Sequence, residues 1–146
     1  MATKTDDGVA IGGITVWPRI EGEDTGGAIA IHEFAVQPGT QVPAAHSHDE
    51  YDETLYGVEG VLTMTVDGVA SEVGPGDTLF IPRGVVHRFE NAGEVESRTL
   101  AVVTPGILGA AYFHEIAAVL AAAQGGPPDL AALGAVMRRH GLTPAP

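Results

Sequence analysis

The tightest constraint on this chain is how often its backbone is interrupted. Glycines (20 in all), prolines (10), Asp and Asn punctuate residues 1–105 at short intervals, with no helical spacing between the breaks. The stretches between them, 14–17, 28–36, 54–56, 61–66, 69–73, 78–81, 86–89 and 98–103, are rich in β-branched and aromatic residues and predict strands. In the clearest hairpin, Asp67-Gly68 separates two alternating runs and supplies the two positive φ angles of a type I′ turn. Hairpin following hairpin predicts an all-β antiparallel barrel or sandwich.

Past the turn signal Thr104-Pro105-Gly106 the composition changes. Residues 106–146 are rich in alanine and balance Glu115 and Asp129 against Arg138 and Arg139, so residues 1–105 carry the whole net charge of −12. A helix is predicted over 108–124, with an apolar stripe of Tyr112, Ile116, Val119 and Leu120, stopping at Gly125-Gly126-Pro127-Pro128. A second is predicted over 130–140, opened by Asp129 as N-cap, with Leu130, Leu133, Val136 and Met137 on one face. Arg138, Arg139 and His140 fall in its last turn, where cations suit the helix dipole. About 40 residues rarely hold a core alone. The expectation is therefore a barrel over 1–105 and a helical extension over 106–146 packed on the same domain, as cover or lid.

Seven Lys+Arg against nineteen Asp+Glu would repel nucleic-acid phosphates and anionic membrane surfaces, so neither partner is expected. The absence of cysteine excludes disulfides, thiolate catalysis and Cys-ligated metal clusters. No apolar run approaches the roughly 20 residues that span a bilayer. The opening residues lack the apolar core of a signal peptide, so a cytoplasmic protein is expected.

Two segments carry chemistry. In the first, 39–60, His46 and His48 stand at i and i+2, so on a strand both imidazoles face one point. The residues that follow leave room to turn, and Glu53 can bring a carboxylate to the same point from the next strand. In the second, 76–91, Pro82-Arg83-Gly84 makes a tight turn that delivers His87 at the head of a strand. Three imidazoles and one carboxylate suit a divalent first-row transition metal, with positions left for water or substrate.

These segments resemble the two motifs of the cupin superfamily, G-x5-H-x-H-x(3,4)-E-x6-G and G-x5-P-x-G-x2-H-x3-N. The second is met at Gly76, Pro82, Gly84, His87 and Asn91; the first is met at His46, His48, Glu53 and Gly60. Six residues rather than five separate Gly39 from His46, an insertion expected in a loop. Asp52 would also satisfy the three-residue spacing of the carboxylate; Glu53 is preferred because only it leaves six residues before Gly60. The resemblance implies a double-stranded β-helix (jelly-roll barrel) with His46, His48, Glu53 and His87 as ligands of one divalent metal ion (Fe, Mn, Ni, Co, Cu or Zn).

The tail with its GGPPD and HGL segments is similar to that of proteins grouped with quercetin dioxygenases. That resemblance implies a metal-dependent oxidoreductase of dioxygenase type, acting on a small enolic, phenolic or dicarbonyl substrate, with Glu53 as catalytic base. Other readings of the same site are a decarboxylase or isomerase, or a non-enzymatic barrel that binds a small ligand. A homodimer is the family-level expectation. Arg83 and Arg88, flanking His87, are candidates for substrate contact or simply exposed charges. His32 shares a strand face with Phe34 and Val36 and either lines the pocket or sits satisfied in the core. His114 and His140 are expected at the surface; Tyr51 and Tyr56 bracket Glu53 with their side unsettled. No phosphate loop, Gly-x-Ser-x-Gly elbow or dinucleotide fingerprint is present.

Overall fold

The computed structural model describes residues 7–42 and 44–146. Residues 1–6, which open the expected barrel and part of the stretch read for a leader, lie outside the described residues, as does Pro43 within the first motif.

Among the described residues, eleven strands form two antiparallel sheets that face each other, so the jelly-roll architecture is observed. The first five are β1 (Val9–Ile11), β2 (Ile14–Ile20), β3 (Ala30–Val36), β4 (His46–His48) and β5 (Asp52–Glu59). They are followed by β6 (Leu62–Val66), β7 (Val69–Val73), β8 (Thr78–Ile81), β9 (His87–Glu90) and β10 (Ser97–Thr104). Two helices, α1 (Ala110–Ala122) and α2 (Leu130–Arg139), precede a last strand, β11 (Leu142–Pro144). The sheets run β1-β2-β3-β10-β5-β8 and β11-β4-β9-β6-β7.

The period-two pattern decides which side chains face the core. Along β10, Ser97, Thr99, Ala101 and Val103 are buried while the residues between them are half-buried. Asp67 and Gly68 adopt φ of 50° and 78°, the two positive values their hairpin requires. Gly60, at φ 63°, could carry no side chain: a Cβ there would lie 2.4 Å from the Glu96 carbonyl oxygen. Asn91 is buried and closes its turn by donating to the Val36 and Val95 carbonyls, both at 2.8 Å, and accepting from Gly93 N–H at 2.9 Å.

The tail joins the same core. Phe113, Ile116, Leu133, Val136 and Met137 from the helices pack with Phe34, Leu55, Met64 and Val103 of the sheets. Asp129 caps α2, accepting from Ala132 N–H at 3.0 Å. The start of α1 is capped instead by Glu21, whose carboxylate accepts from Ala110 N–H at 3.1 and 3.2 Å. Leu130 was expected on the buried face but is 71% exposed: the buried residues of α2 begin only at Leu133. His140 is half-buried rather than a free surface residue; it and Arg139 hold Glu115 of α1 at 3.1 and 2.8 Å. Among the described residues no helix is long and apolar enough to cross a membrane.

Candidate metal centre

The site forms where short β4 meets the head of β9, opposite the start of β5. His46 and His48 point to the same face of β4, with half-buried Ser47 between them. The turn after Pro82 delivers His87 beside His46, its direct register partner. Gly84 N–H, in that turn, donates to the His48 carbonyl at 2.7 Å and fastens the two ligand segments together. The ring centroids of His46, His48 and His87 lie 4.6 to 5.2 Å apart, and one nitrogen from each falls within 4.8 Å of the others. A carboxylate oxygen of Glu53 stands 3.7 Å from His48 Nε2 and 3.8 Å from His87 Nε2.

A backbone hydrogen bond sets the tautomer of two of the three imidazoles. His46 Nδ1 and His87 Nδ1 donate to the Ala44 and Val85 carbonyls at 2.8 and 3.0 Å, leaving both Nε2 lone pairs free. Burial lowers the His46 imidazole to about 4 and the His48 imidazole to about 2, each helped by the neighbouring histidines. His87 is lowered by burial too. Burial pushes Glu53 up to about 7. The histidines are therefore neutral near pH 7, so their contacts with Glu53 are not ion pairs. Three neutral imidazoles brought together, with the Nε2 lone pairs of His46 and His87 free and a Glu53 oxygen beside the Nε2 of His48 and His87, fit a divalent cation.

The cavity in front of these groups is otherwise apolar and measures about 90 Å³. The barrel contributes Val16, Phe34, Leu55, Met64 and Phe89, and the tail adds Tyr112, Phe113, Met137 and Leu142 among others. Neither Lys nor Arg lines it among the described residues. His32 does line it; its ring meets Phe113 edge-on at 4.9 Å, and burial lowers it to about 4. Tyr112 lines it as well, its phenol raised by burial and by nearby Glu53.

The other candidates fall elsewhere. Arg83 does not line the cavity: it is half-exposed and grips Asp52 through Nε and Nη2 at 3.2 and 3.1 Å. The strand alternation that turns Glu53 inward turns Asp52 out to this pair. Arg88 follows His87 on β9, so it faces the outside and is exposed. Tyr56 is on the outer face, whereas Tyr51 is wholly buried and stacks on His48. Tyr112 is the cavity residue that its sequence position did not disclose; its helix stripe marked it as core, and only the fold shows that this stripe faces the ligands.

Residues 32–103 match the model of the Cupin domain. The chain is 37% identical over 68 residues to the tetracenomycin polyketide synthase protein TcmJ of Streptomyces glaucescens, covering 47% of this chain and 45% of that one. It is 34% identical over 62 residues to quercetin 2,3-dioxygenase of Bacillus subtilis, covering 42% of this chain and 18% of that one. The matched segment thus spans half or less of these relatives. Among solved structures, the polyketide cyclase RemF of Streptomyces resistomycificus superposes with a TM-score of 0.57 at 30% identity, over 64% of this chain and 66% of that one. With the two motifs and the two-sheet barrel in place, the chain is a member of the cupin superfamily.

Proposed function

We propose that the protein is a metal-dependent enzyme of dioxygenase type, acting on a small, largely apolar molecule with an enolic, phenolic or dicarbonyl oxygen. The observation that carries this reading is the contrast inside the cavity: three histidines and Glu53 meet on one wall, and the rest is mainly apolar, with His32 and Tyr112 as further polar groups and no Lys or Arg among the described residues. A sugar phosphate or a dicarboxylate would leave anionic groups unmatched there; a neutral aromatic would not.

His46, His48, His87 and Glu53 would hold one divalent transition-metal ion. Such an ion acidifies a hydroxyl bound to it and stabilises the negative charge that results. Glu53 is assigned a second role, accepting the substrate hydroxyl proton on the carboxylate oxygen nearest the cavity. The apolar walls exclude water and place the ring edge-on to the site. His32 offers the one further imidazole, to hold a second substrate oxygen. As it stands the cavity is smaller than the roughly 150 Å³ void that takes one benzene, so an aromatic substrate would require its walls to move apart.

A second reading is favoured by a specific observation: TcmJ and RemF, two of the most similar chains, carry polyketide synthase and cyclase names. There the same Glu53 would take a proton from a carbon between two carbonyls, and ring closure would need no oxidant. One experiment separates the readings. Protein reconstituted with Fe, Mn, Ni, Co or Cu is given a catechol, a flavonol and a β-dicarbonyl, with and without O2. Oxygen uptake matched to substrate loss supports the dioxygenase. Turnover that persists without O2 supports the cyclase type, and no turnover with any of them leaves a ligand-binding barrel.

A further inference from the structure

The strand that carries two of the three histidines is poorly anchored by the barrel itself. β4 is three residues long and shares a single register pair with β9, His46 with His87. The Gly84–His48 hydrogen bond adds one tie on that side. On the other side it is paired along its whole length with β11: Leu142 with His48, Thr143 with Ser47 and Pro144 with His46. Backbone bonds extend this ladder at both ends, Asp49 N–H to the Gly141 carbonyl and Ala145 N–H to the Ala45 carbonyl, each 2.8 Å. The Thr143 hydroxyl also donates to Asp49 at 2.7 Å.

Tyr51 makes a second link between the same two segments. Its ring is fully buried and stacks on the His48 imidazole at 4.6 Å with an interplanar angle of 23°. Its hydroxyl donates to the His140 carbonyl at 3.3 Å, at the point where α2 gives way to β11. Gly141, at φ 79°, packs on the edge of the same ring. Leu142 then completes the wall of the cavity while paired with His48.

From this geometry we infer that β11 and Tyr51 are the positioning elements of the candidate metal centre, so that metal retention and docking of the C-terminal segment are coupled. The inference rests on the metal reading above. Residues 142–144 are the strand neighbour that keeps β4 extended, and extension is what turns both imidazoles to one point. Coupling of this kind is reciprocal: an ion that favours ordered β4 favours docked β11 to the same degree.

Zn(II) titration against a competing chelator, the visible spectrum of the Co(II) form, and amide exchange with and without Zn(II) test it. A chain ending at His140 is expected to bind Zn(II) at least about tenfold more weakly, with an altered Co(II) spectrum. Tyr51→Leu should weaken binding in the same direction. Tyr51→Phe, which keeps the stack on His48 but loses the hydroxyl's bond to the His140 carbonyl, should weaken binding in the same direction but less than Tyr51→Leu, by about threefold. In the wild type, Zn(II) should slow exchange across 142–145 as well as 46–48. A truncated chain that folds and binds with unchanged affinity and spectrum overturns the inference. If truncation prevents folding, exchange in the full chain decides: protection at 142–145 that is indifferent to Zn(II) overturns it. A wild type that binds neither Zn(II) nor Co(II) removes the metal reading itself, an outcome distinct from metal bound without effect on the tail.

Discussion

The two sheets contribute to the site in different ways. Glu53 lies in the long-stranded sheet, near the start of β5, paired with Val103 of β10 on one side and Ile81 of β8 on the other. Its position is set by ladders of seven and four register pairs. His46 and His48 lie in the short-stranded sheet, on three residues held mainly by a C-terminal strand remote in sequence. The carboxylate is thus a property of the barrel, while the imidazole pair is shared between barrel and tail. A rigid wall faces a wall whose order depends on a second segment, and substitutions on the two should have different consequences.

The largest expected effect is on the short-stranded side. His48→Ala should abolish stoichiometric metal binding, a loss beyond about a hundredfold in affinity. It should leave the far-ultraviolet circular dichroism of a folded barrel, because the long sheet does not depend on that imidazole. Elemental analysis beside circular dichroism checks both halves of the statement. If the variant unfolds, the two sheets are not separable in the way described.

Acid should strike both sides through their buried imidazoles, His32 in the long-stranded sheet and His46, His48 and His87 in the short-stranded one. His32, on β3, is held near 4 by burial against an ordinary value of 6.5, so the unfolded chain binds its proton more readily. The stability due to its burial is complete above about pH 6.5 and is lost as pH falls toward about 4, roughly 3 kcal/mol for this group. His46, lowered to about 4, acts in the same direction in ion-free protein. Glu53, raised to about 7, acts oppositely: its burial weighs against folding progressively as pH rises from 4.5 to 7. Melting temperatures followed in chelator from pH 7 to 4 should fall, and His32→Leu should flatten that fall. An equal slope in the variant would remove His32 from the account.

Smaller effects separate the two neighbouring carboxylates. Glu53→Gln should weaken metal binding by about ten- to a hundredfold. Asp52→Ala, which releases the side chain and the backbone N–H of exposed Arg83, should leave binding unchanged and alter stability little. The reverse ranking would move the carboxylate ligand to Asp52.

How much of this was legible in the sequence follows from what each feature needs. The hairpin at Asp67-Gly68 was legible because a type I′ turn demands residues that tolerate positive φ, and β6 and β7 end on either side of it. The convergence of His46, His48, His87 and Glu53 was legible because i, i+2 spacing and a turn-delivered histidine are local devices. The caps at Asp129 and the helix stop before Gly125 were local as well. β1 and β11 were not legible: three residues carry no periodicity, and Leu142-Thr143-Pro144 reads as a tail following a helix end. Nor was the outward turn of Leu130, since a helical stripe fixes a face but not how far that face extends over the barrel. Arg83 reads in the sequence as a substrate contact or as an exposed charge balancing a nearby carboxylate; that the carboxylate is Asp52 depends on the pairing of β5 with β8. The pairings of β11 with β4 and of Arg83 with Asp52 escaped because they are long-range, and the tail's grip on the strand of His46 and His48 is the more consequential of the two.

The most direct test of the central claim is metal content. Protein purified without a tag and under anaerobic conditions, as wild type, His48→Ala and Glu53→Ala, is assayed by elemental analysis before and after reconstitution. The account predicts close to one equivalent of a divalent transition metal in the wild type and its loss or marked reduction in both variants. A wild type that takes up no metal after reconstitution, or variants that hold it equally well, would contradict the account.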